Sequence, residues 1–590
     1  MSHPVNNSPS RNPHSYEVEI PTNIGFRKTT RRSSLVSGSI GRQGFIDGLR
    51  PSSFHDDEET LGYGDVITVS EGTTLAQEEQ SLLNDNHIRA VTSYGANTTS
   101  DEREISSSTE SRIDEIVLIS KSWDAAVREG KISTSVRREL NVLSQNSAPL
   151  VVTFLLQYSL VVASILSVGH LGKTELAAVT LATMTASITG FALIQGLATC
   201  LDTLCPQAYG AGNFRMVGLY FQKCVLMILV CFAPVAVLWL FSDRLLVYVI
   251  PDEELAKLAG EYLKLVVWGT PGYILFECGK RFVQAQGIFH ASTMVLLIAS
   301  PVNVFLNYFL VWNETVNLGY HGAAIAVATT DWLMAILLFL YVAFIDGKDC
   351  WFGLSKEMFS DWIGMLRLAI PGVIMVEAEF LAFEMLTFAA SYLGTTALAA
   401  QSVLSTIVSL VYQIPFAVSI AASTRIANFV GATLADSAKL TTIVSIGTSY
   451  SIAIFNGIIL LLLRYRVGAL FSSDEDVIRL VGQVIPLCAF MQVFDATSGV
   501  GGGILRGQGR QFIGGYLNLF FYYVVALPLG LFLAFKMDLE IYGLWTGLVV
   551  GIACISLGQQ YFVFKADWDQ IVEDASNRNR RERVTSQGHS

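Results

Sequence analysis

The sequence predicts an all-α protein that crosses a membrane many times and is built from two similar halves. Of its 590 residues, 52% are hydrophobic and only 15% are charged, and its mean hydropathy is +0.46. Soluble domains carry about 25% charged residues, so the composition is typical of a polytopic membrane protein. Two further observations support this class: a series of twelve long apolar segments, and an internal repeat that divides them into two sets of six.

Each apolar segment has about 20 residues, the length that a helix needs to cross the hydrocarbon of a bilayer. Proline occurs inside eight of the segments, which membrane helices tolerate because neighbouring helices satisfy the freed carbonyl groups. The predicted helices have the approximate limits 148–168, 176–203, 219–241, 259–279, 291–312, 322–345, 366–391, 399–424, 441–463, 478–503, 511–535 and 541–564.

The repeat has an offset of 222 residues. Residues 171–178 (LGKTELAA) reappear as 393–400 (LGTTALAA) with six identities in eight, and Pro149 matches Pro371 at the same offset. Since six helices return the chain to its starting side, the halves are predicted to be parallel repeats. We therefore expect an amino-terminal lobe, 148–345, a linker, 346–365, and a carboxyl-terminal lobe, 366–564.

The two ends of the chain are polar. Residues 1–147 are predicted to form a mostly disordered tail, with a short amphipathic segment near 113–140 that lies on the membrane or docks on the bundle. Residues 565–590 form a second tail. Arg31-Arg32-Ser33-Ser34 has the pattern that basic-directed kinases favour, so a kinase acting on Ser34 is a hypothesis. Basic residues in the tails and in the connections after even-numbered helices favour cytoplasmic termini.

Several classes of function are disfavoured. The net charge of −11 is not typical of a nucleic-acid-binding protein, and much of it comes from the acidic stretch 56–79. The eight cysteines lie mostly in or beside apolar segments, without a metal-ligand spacing, and no phosphate-binding glycine loop is present. We therefore expect no cofactor, no metal and no enzyme activity. The expected partners are small solutes, H⁺ and the lipid bilayer.

Acidic residues inside predicted helices are the main functional signal. Glu379 and Glu384 lie near the middle of the seventh helix, with Glu377 two residues before Glu379. A charged group at that depth costs roughly 2.5 kcal/mol or more, so three acids within eight residues indicate an ion or proton pathway, or a cationic ligand. At about 100° per residue, Glu377 and Glu384 share a face, whereas Glu379 and Glu384 point to different sides.

Four further positions complete this set. Asp495 lies in the tenth helix, before the glycine-rich run 499–503, and Asp202 lies near a membrane face. Gln157 occupies the position in the first lobe that matches Glu379, so the amino-terminal lobe lacks the paired acids and proton coupling is expected in the carboxyl-terminal lobe. Tyr412 could line a cation route through its π-face. For each of them the alternative is a role in helix packing only.

Several motifs resemble the multidrug and toxic compound extrusion (MATE) family in its eukaryotic branch. The resemblance spans about residues 148–565, and the combination and order of its motifs are highly specific. These motifs are GHLG at 169–172, LAAVT at 176–180, DTLC at 202–205, QAYGAGN at 207–213, LAIP at 368–371, AQS at 400–402, VYQIP at 411–415, AASTRIAN at 421–428 and GILRG at 503–507.

The resemblance implies an antiporter of two six-helix lobes that expels organic cations or other amphipathic solutes in exchange for H⁺, or for Na⁺ in some members. Glu379 and Glu384 occupy the positions of two acids of helix 7 that members use, and Asp495 matches an acid of helix 10. Gln401 belongs to the motif in helix 8, where members carry a further acid four residues after the Gln-Ser pair. Thr406 stands there, which puts the transfer of the relatives' substrate range in doubt.

The sequence thus predicts a proton-coupled antiporter that exports solutes by alternating access, in a vacuolar or plasma membrane. One alternative is a flippase for a lipid-linked solute, which would need a cationic cavity for phosphate. No lysine or arginine is evident in the middle of a predicted helix, which counts against a flippase. A passive channel stays open as a third possibility.

Overall fold

The computed structural model describes residues 74–86, 88, 119–169, 171–249, 252–313, 318–472 and 474–587, and within them all regular structure is helical. Ser34, the hypothetical kinase target, lies outside the described residues, as does the first part, 113–118, of the amphipathic segment. The membrane region consists of twelve helices in two lobes of six, as predicted.

The amino-terminal lobe contains the first six membrane helices, the fourth of them in two pieces. Before this lobe lie α1 (Thr74–Asp85) and α2 (119–128). The helices of the lobe are α3 (Val136–Gly169), α4 (Thr174–Gly210), α5 (Phe214–Leu240), the short α6 (Ser242–Val249), α7 (Glu253–Val266) with α8 (Thr270–Ala285), α9 (His290–Trp312) and α10 (Tyr320–Phe344).

Two 3₁₀ turns, Lys348–Cys350 and Lys356–Phe359, connect the lobes. The helices of the carboxyl-terminal lobe are α11 (Ile363–Ser391), α12 (Thr395–Gly431), α13 (Ala435–Phe471), α14 (Glu475–Gly507), α15 (Gln511–Phe535) and α16 (Glu540–Phe564), and α17 (Trp568–Gln587) follows them.

Ten helices of the described chain are long and apolar enough to cross a membrane by length and composition. The two remaining crossings contain several charged residues. The crossing made by α7 and α8 is interrupted by a turn at 267–269 and bears Glu277, Lys280 and Arg281, and α11 bears its three glutamates. Charge and interruption thus mark these two crossings as different from the others.

Several helices continue beyond the predicted limits. α3 begins at Val136 rather than near 148, α12 ends at Gly431 rather than 424, and α14 ends at Gly507 rather than 503. The added turns carry charged residues that lower the hydropathy, yet Glu139, Arg425 and Arg506 among them are buried and paired. The helical hydrogen bonds therefore continue where the apolar pattern ends.

The lobes are packed together at the side where α3 begins and α16 ends, called here the terminal side. α4 and α12 cross there so closely that a Cβ on Gly210 would lie 2.1 Å from the Asn428 carbonyl oxygen, and a Cβ on Gly431 would lie 2.1 Å from that of Gln207. Residues 207 and 428, like 210 and 431, are 221 positions apart, so the repeat is shifted here by one residue from its offset of 222. The two contacts are therefore equivalent under the internal repeat.

Replacing Gly210 or Gly431 by alanine is expected to destabilise this closed crossing, because either new methyl group would overlap a backbone carbonyl. Because the sites are equivalent, both variants should lower the thermal unfolding midpoint of the detergent-purified protein by similar amounts. Gly447→Ala is the matched control, since a Cβ at that helical glycine meets no atom within 4 Å. A control as destabilised as the two variants would contradict this prediction.

The tail helices pack on the terminal side. A buried cluster joins Leu82, Ile119 and Trp123 of the amino-terminal tail to Ile426 in α12 and Ile571 in α17. α17 also reaches the other lobe, where the Arg578 guanidinium donates to the Gln207 amide oxygen at 2.8 Å. Both described tail segments are thus parts of the folded bundle.

Candidate functional site

Four side chains from four helices meet inside the carboxyl-terminal lobe and form what we call the carboxylate site. Glu379 of α11 and Asp495 of α14 are close enough for their charges to interact. Tyr412 of α12 and Tyr522 of α15 each lie within electrostatic range of both carboxyl groups. Two acids predicted from the sequence are thus brought together, with Tyr412 beside them.

Close helix packing forms this site. The glycine run of α14 lets α12 approach, so that a Cβ on Gly499 would lie 2.9 Å from the Tyr412 hydroxyl oxygen. On the other side, Asn518 of α15 donates to the Met375 carbonyl oxygen at 3.1 Å, which fixes α11 against α15. The small residues in α14 therefore place Asp495 beside α11 and α12.

Within the described chain, Glu379, Glu384 and Asp495 make no hydrogen bond or ion pair with a protein group. Asp495 is only 6% exposed. An ionised carboxylate in such a place is costly unless a cation or a donor compensates its charge. These groups can therefore hold a proton or bind a cation.

The other two glutamates of α11 face elsewhere. Glu377 lies within electrostatic range of Tyr523, whose hydroxyl donates to the Ala378 carbonyl oxygen at 3.3 Å. Glu384 is half-buried and interacts with none of the groups of the carboxylate site. The helical geometry thus separates the three acids.

Gln401 lies apart from the carboxylate site and has structural partners. Its amide oxygen accepts from the Trp545 indole nitrogen at 2.8 Å, and its amide nitrogen donates to Ser405 at 3.1 Å. Gln401 and Trp545 are both fully buried. These bonds satisfy the amide within the core of the lobe.

A second polar group lies between the lobes near the terminal side, and we call it the inter-lobe ion cluster. Glu277 in α8 pairs with Lys280 at 2.8 Å and with Arg281 at 2.7 Å. Arg281 also reaches Asp202 of α4 at 3.1 Å, and Asp202 lies 3.5 Å from Arg506 of α14. The Asp202–Arg506 pair therefore joins one lobe to the other.

Hydrogen bonds reinforce the cluster on both sides. Gln157 donates to Glu277 at 3.1 Å and accepts from Lys280 at 3.2 Å. Across the interface, Thr203 donates to the Arg506 carbonyl oxygen at 2.5 Å, and the Arg506 guanidinium donates to Ser419 at 3.0 Å. Gln157 and Asp202, two predicted site residues, thus belong to this cluster and not to the carboxylate site.

Arg506 connects the two sites. Besides its pair with Asp202, Arg506 lies within electrostatic range of Glu379 and Tyr412 of the carboxylate site. Neither Arg506 nor Tyr522 was among the predicted site residues. Arg506 lies in the GILRG motif, but the predicted tenth helix ends three residues earlier, so the sequence placed this arginine in a connection.

Comparisons with known proteins agree with this architecture. The MatE family model matches residues 149–309 and 371–532, two segments that begin 222 residues apart, as the predicted repeat requires. The crystal structure of the eukaryotic MATE transporter AtDTX14 is 30% identical, with a TM-score of 0.72, and the match covers 75% of this chain and 99% of that one.

Two relatives extend the comparison. A protein of Saccharomyces cerevisiae described as an uncharacterized transporter is 46% identical over 436 residues, which cover 74% of this chain and 63% of the yeast protein. Multidrug and toxin extrusion protein 2 of Mus musculus is 36% identical over 450 residues, covering 76% of this chain and 78% of the mouse protein. With two six-helix lobes and family matches in both, the chain belongs to the MATE family of membrane transporters, in its eukaryotic branch.

Proposed function

We propose that the protein is a secondary active antiporter that exports organic cations or other solutes in exchange for H⁺. The observation that carries this proposal is the carboxylate site, where Glu379 and Asp495 make no hydrogen bond or ion pair with a protein group in the described chain. Two neighbouring carboxyl groups without such contacts have two stable states. In one they are protonated, and in the other a bound cation neutralises them. Proton and solute then compete for the same groups.

The competition supplies the coupling. An ionised carboxylate attracts a cationic solute, and protonation removes that attraction and releases the solute. The flanking aromatic rings of Tyr412 and Tyr522 would add a cation–π attraction for organic cations. Protonation of Glu379 is favoured on the side with the lower pH. We therefore propose that the solute is released on that side.

Alternating access requires the lobes to close on one side at a time. We propose that the Asp202–Arg506 pair and the α4–α12 crossing close the terminal side. The proposed cytoplasmic position of both termini rests on the basic residues of the tails. In that orientation the described state is closed toward the cytoplasm, in a vacuolar or plasma membrane.

The flippase alternative draws on one observation, the three buried basic residues of the inter-lobe ion cluster. They lie between the lobes, where a phosphate-bearing headgroup could enter. However, Lys280, Arg281 and Arg506 are each paired with a carboxylate, either Glu277 or Asp202. This pairing leaves little positive charge for a phosphate and favours the antiporter.

Proteoliposomes test the proposal directly. With an imposed pH gradient, we expect uptake of members of a panel of organic cations, and this uptake should stop when a protonophore dissipates the gradient. Empty liposomes provide the background. Solute uptake that is unchanged by the protonophore would reject proton coupling. Transport of a fluorescent phospholipid in place of the cations would favour the flippase.

A further inference from the structure

α1 lies outside the segments that match the family model, and it spans the interface between the lobes. At its start, Leu75 packs against the apolar core of the amino-terminal lobe. Two turns later, Leu82 and Leu83 are each only 1% exposed and pack in the terminal-side cluster with Ile426 and Phe429 of α12. One short helix thus contacts both lobes.

A charged contact lies between these two apolar ends. The Glu78 carboxylate accepts from Arg425 of α12 at 2.7 Å and from Arg138 of α3 at 2.9 Å. Arg425 also forms two bonds with Glu139 of α3, at 3.0 and 3.1 Å. Glu139 is fully buried and accepts from Thr441 at 3.0 Å.

The charges explain why α1 matters to this contact. Without α1, Arg138 would lose the Glu78 and Asp85 carboxylates that pair with it, and Arg425 would keep only Glu139. Glu78 supplies a second carboxylate, and Asp85 at the end of α1 also pairs with Arg138. Since an uncompensated buried charge is costly, docking of α1 adds to the stability of the interface.

The end of α1 is fixed to the chain that enters α3. The Asn86 amide nitrogen donates to the Ser133 carbonyl oxygen at 2.8 Å, and the Asn86 amide oxygen accepts from the Ser133 backbone N–H at 3.2 Å and from its hydroxyl at 2.8 Å. α1 therefore has a defined position and orientation at the terminal side.

We propose that α1 is an intramolecular brace that restrains opening of the terminal side, so that it limits the rate of transport. If the lobes part on that side, α1 must leave either the Leu75 contact or the Leu82–Leu83 contact, and Glu78 must leave Arg425 or Arg138. This inference rests on the proposed alternating access and does not depend on the identity of the solute.

The test compares Glu78→Lys and Glu78→Gln with Gln77→Lys in the full-length protein. Gln77 is the exposed neighbour, and Gln77→Lys changes the net charge by the same amount as Glu78→Gln. We expect hydrogen–deuterium exchange at 199–213 and 423–434 to rise in both Glu78 variants and to stay unchanged in the control. In proteoliposomes, the maximal rate of solute transport should rise at least two-fold in both Glu78 variants, and most in Glu78→Lys.

A second variant, Leu82→Ser with Leu83→Ser, removes the apolar contact without changing charge and should increase deuterium exchange at the same segments. Deuterium exchange can be measured without any transport. It therefore tests the brace independently of the proposed antiport. Unchanged deuterium exchange in both kinds of variant would overturn the brace. So would a fall in transport with unchanged exchange, because α1 would then support the open state.

Discussion

Glu379→Gln is expected to lower proton-driven solute exchange about 100-fold, near the upper end of coupling free energies of roughly 1–3 kcal/mol. Glutamine keeps the size of the side chain but cannot exchange a proton or attract a cation through a charge. Because Glu379 makes no hydrogen bond or ion pair in the described chain, the substitution breaks no structural contact. The protein should therefore fold normally and lose its coupling.

Glu377→Gln is the matched control, because it makes the same chemical change on the same helix at a side chain that faces Tyr523 instead of the carboxylate site. We expect the rate of solute exchange to fall by less than about three-fold, because this substitution leaves the coupling between proton and solute intact. Initial rates of exchange under an imposed pH gradient, with thermal unfolding midpoints for each variant, provide the comparison. Equal losses in both variants would contradict the geometry of the site.

Asp495→Asn extends the same test to α14. If Glu379 and Asp495 act as one site, the effects of the single substitutions should not add, and the double variant should be no slower than the slower single variant. Additive losses would instead mean that the two carboxyl groups serve separate steps. The result distinguishes one shared proton and cation site from two independent ones.

The lobes and the main acids could be predicted because their signals can be read directly from the sequence. Twelve apolar segments and a 222-residue repeat are visible in one pass along the chain, and glutamates at 377, 379 and 384 stand out in an apolar setting. Helical geometry even indicated that Glu379 and Glu384 point to different sides. No knowledge of three-dimensional contacts was needed for any of these predictions.

The inter-lobe contacts could not be predicted because they join distant residues. Asp202 and Arg506 are about 300 positions apart, and neither spacing nor periodicity links them. Hydropathy also places Arg281 and Arg506 outside the predicted helices, because it scores a charged residue as though it faced water. In the structure, pairing with a carboxylate lets the arginines remain buried at the helix ends.

The role of the amino-terminal tail shows the same limitation. Its composition indicates disorder, and only the amphipathic segment near 113–140 was expected to dock. α1, from Thr74 to Asp85, has few apolar residues, but Leu82 and Leu83 are adjacent and Glu78 lies one turn earlier. Their importance depends on Arg425, almost 350 residues later, which the sequence placed in a connection.

Asp202→Asn is expected to shift the protein toward states that are open on the terminal side. The Asp202 carboxylate lies between Arg281 and Arg506, and its removal leaves two guanidinium groups facing each other across the lobe interface. Removing one partner of a buried ion pair costs roughly 3–5 kcal/mol. Because this cost falls mainly on the closed state, the ratio of closed to open protein should fall by about two to four orders of magnitude.

Glu277→Gln separates this effect from a general loss of stability. Glu277 is as deeply buried and pairs with Lys280 and Arg281, but all three belong to the amino-terminal lobe, so its loss should lower stability without parting the lobes. Spin labels at the exposed positions 215 and 439, in a cysteine-depleted background, report the distance between the lobes on the terminal side. Asp202→Asn should add a longer distance population that Glu277→Gln lacks. Identical distance distributions in the two variants would show that Asp202 stabilises its own lobe and does not close the interface.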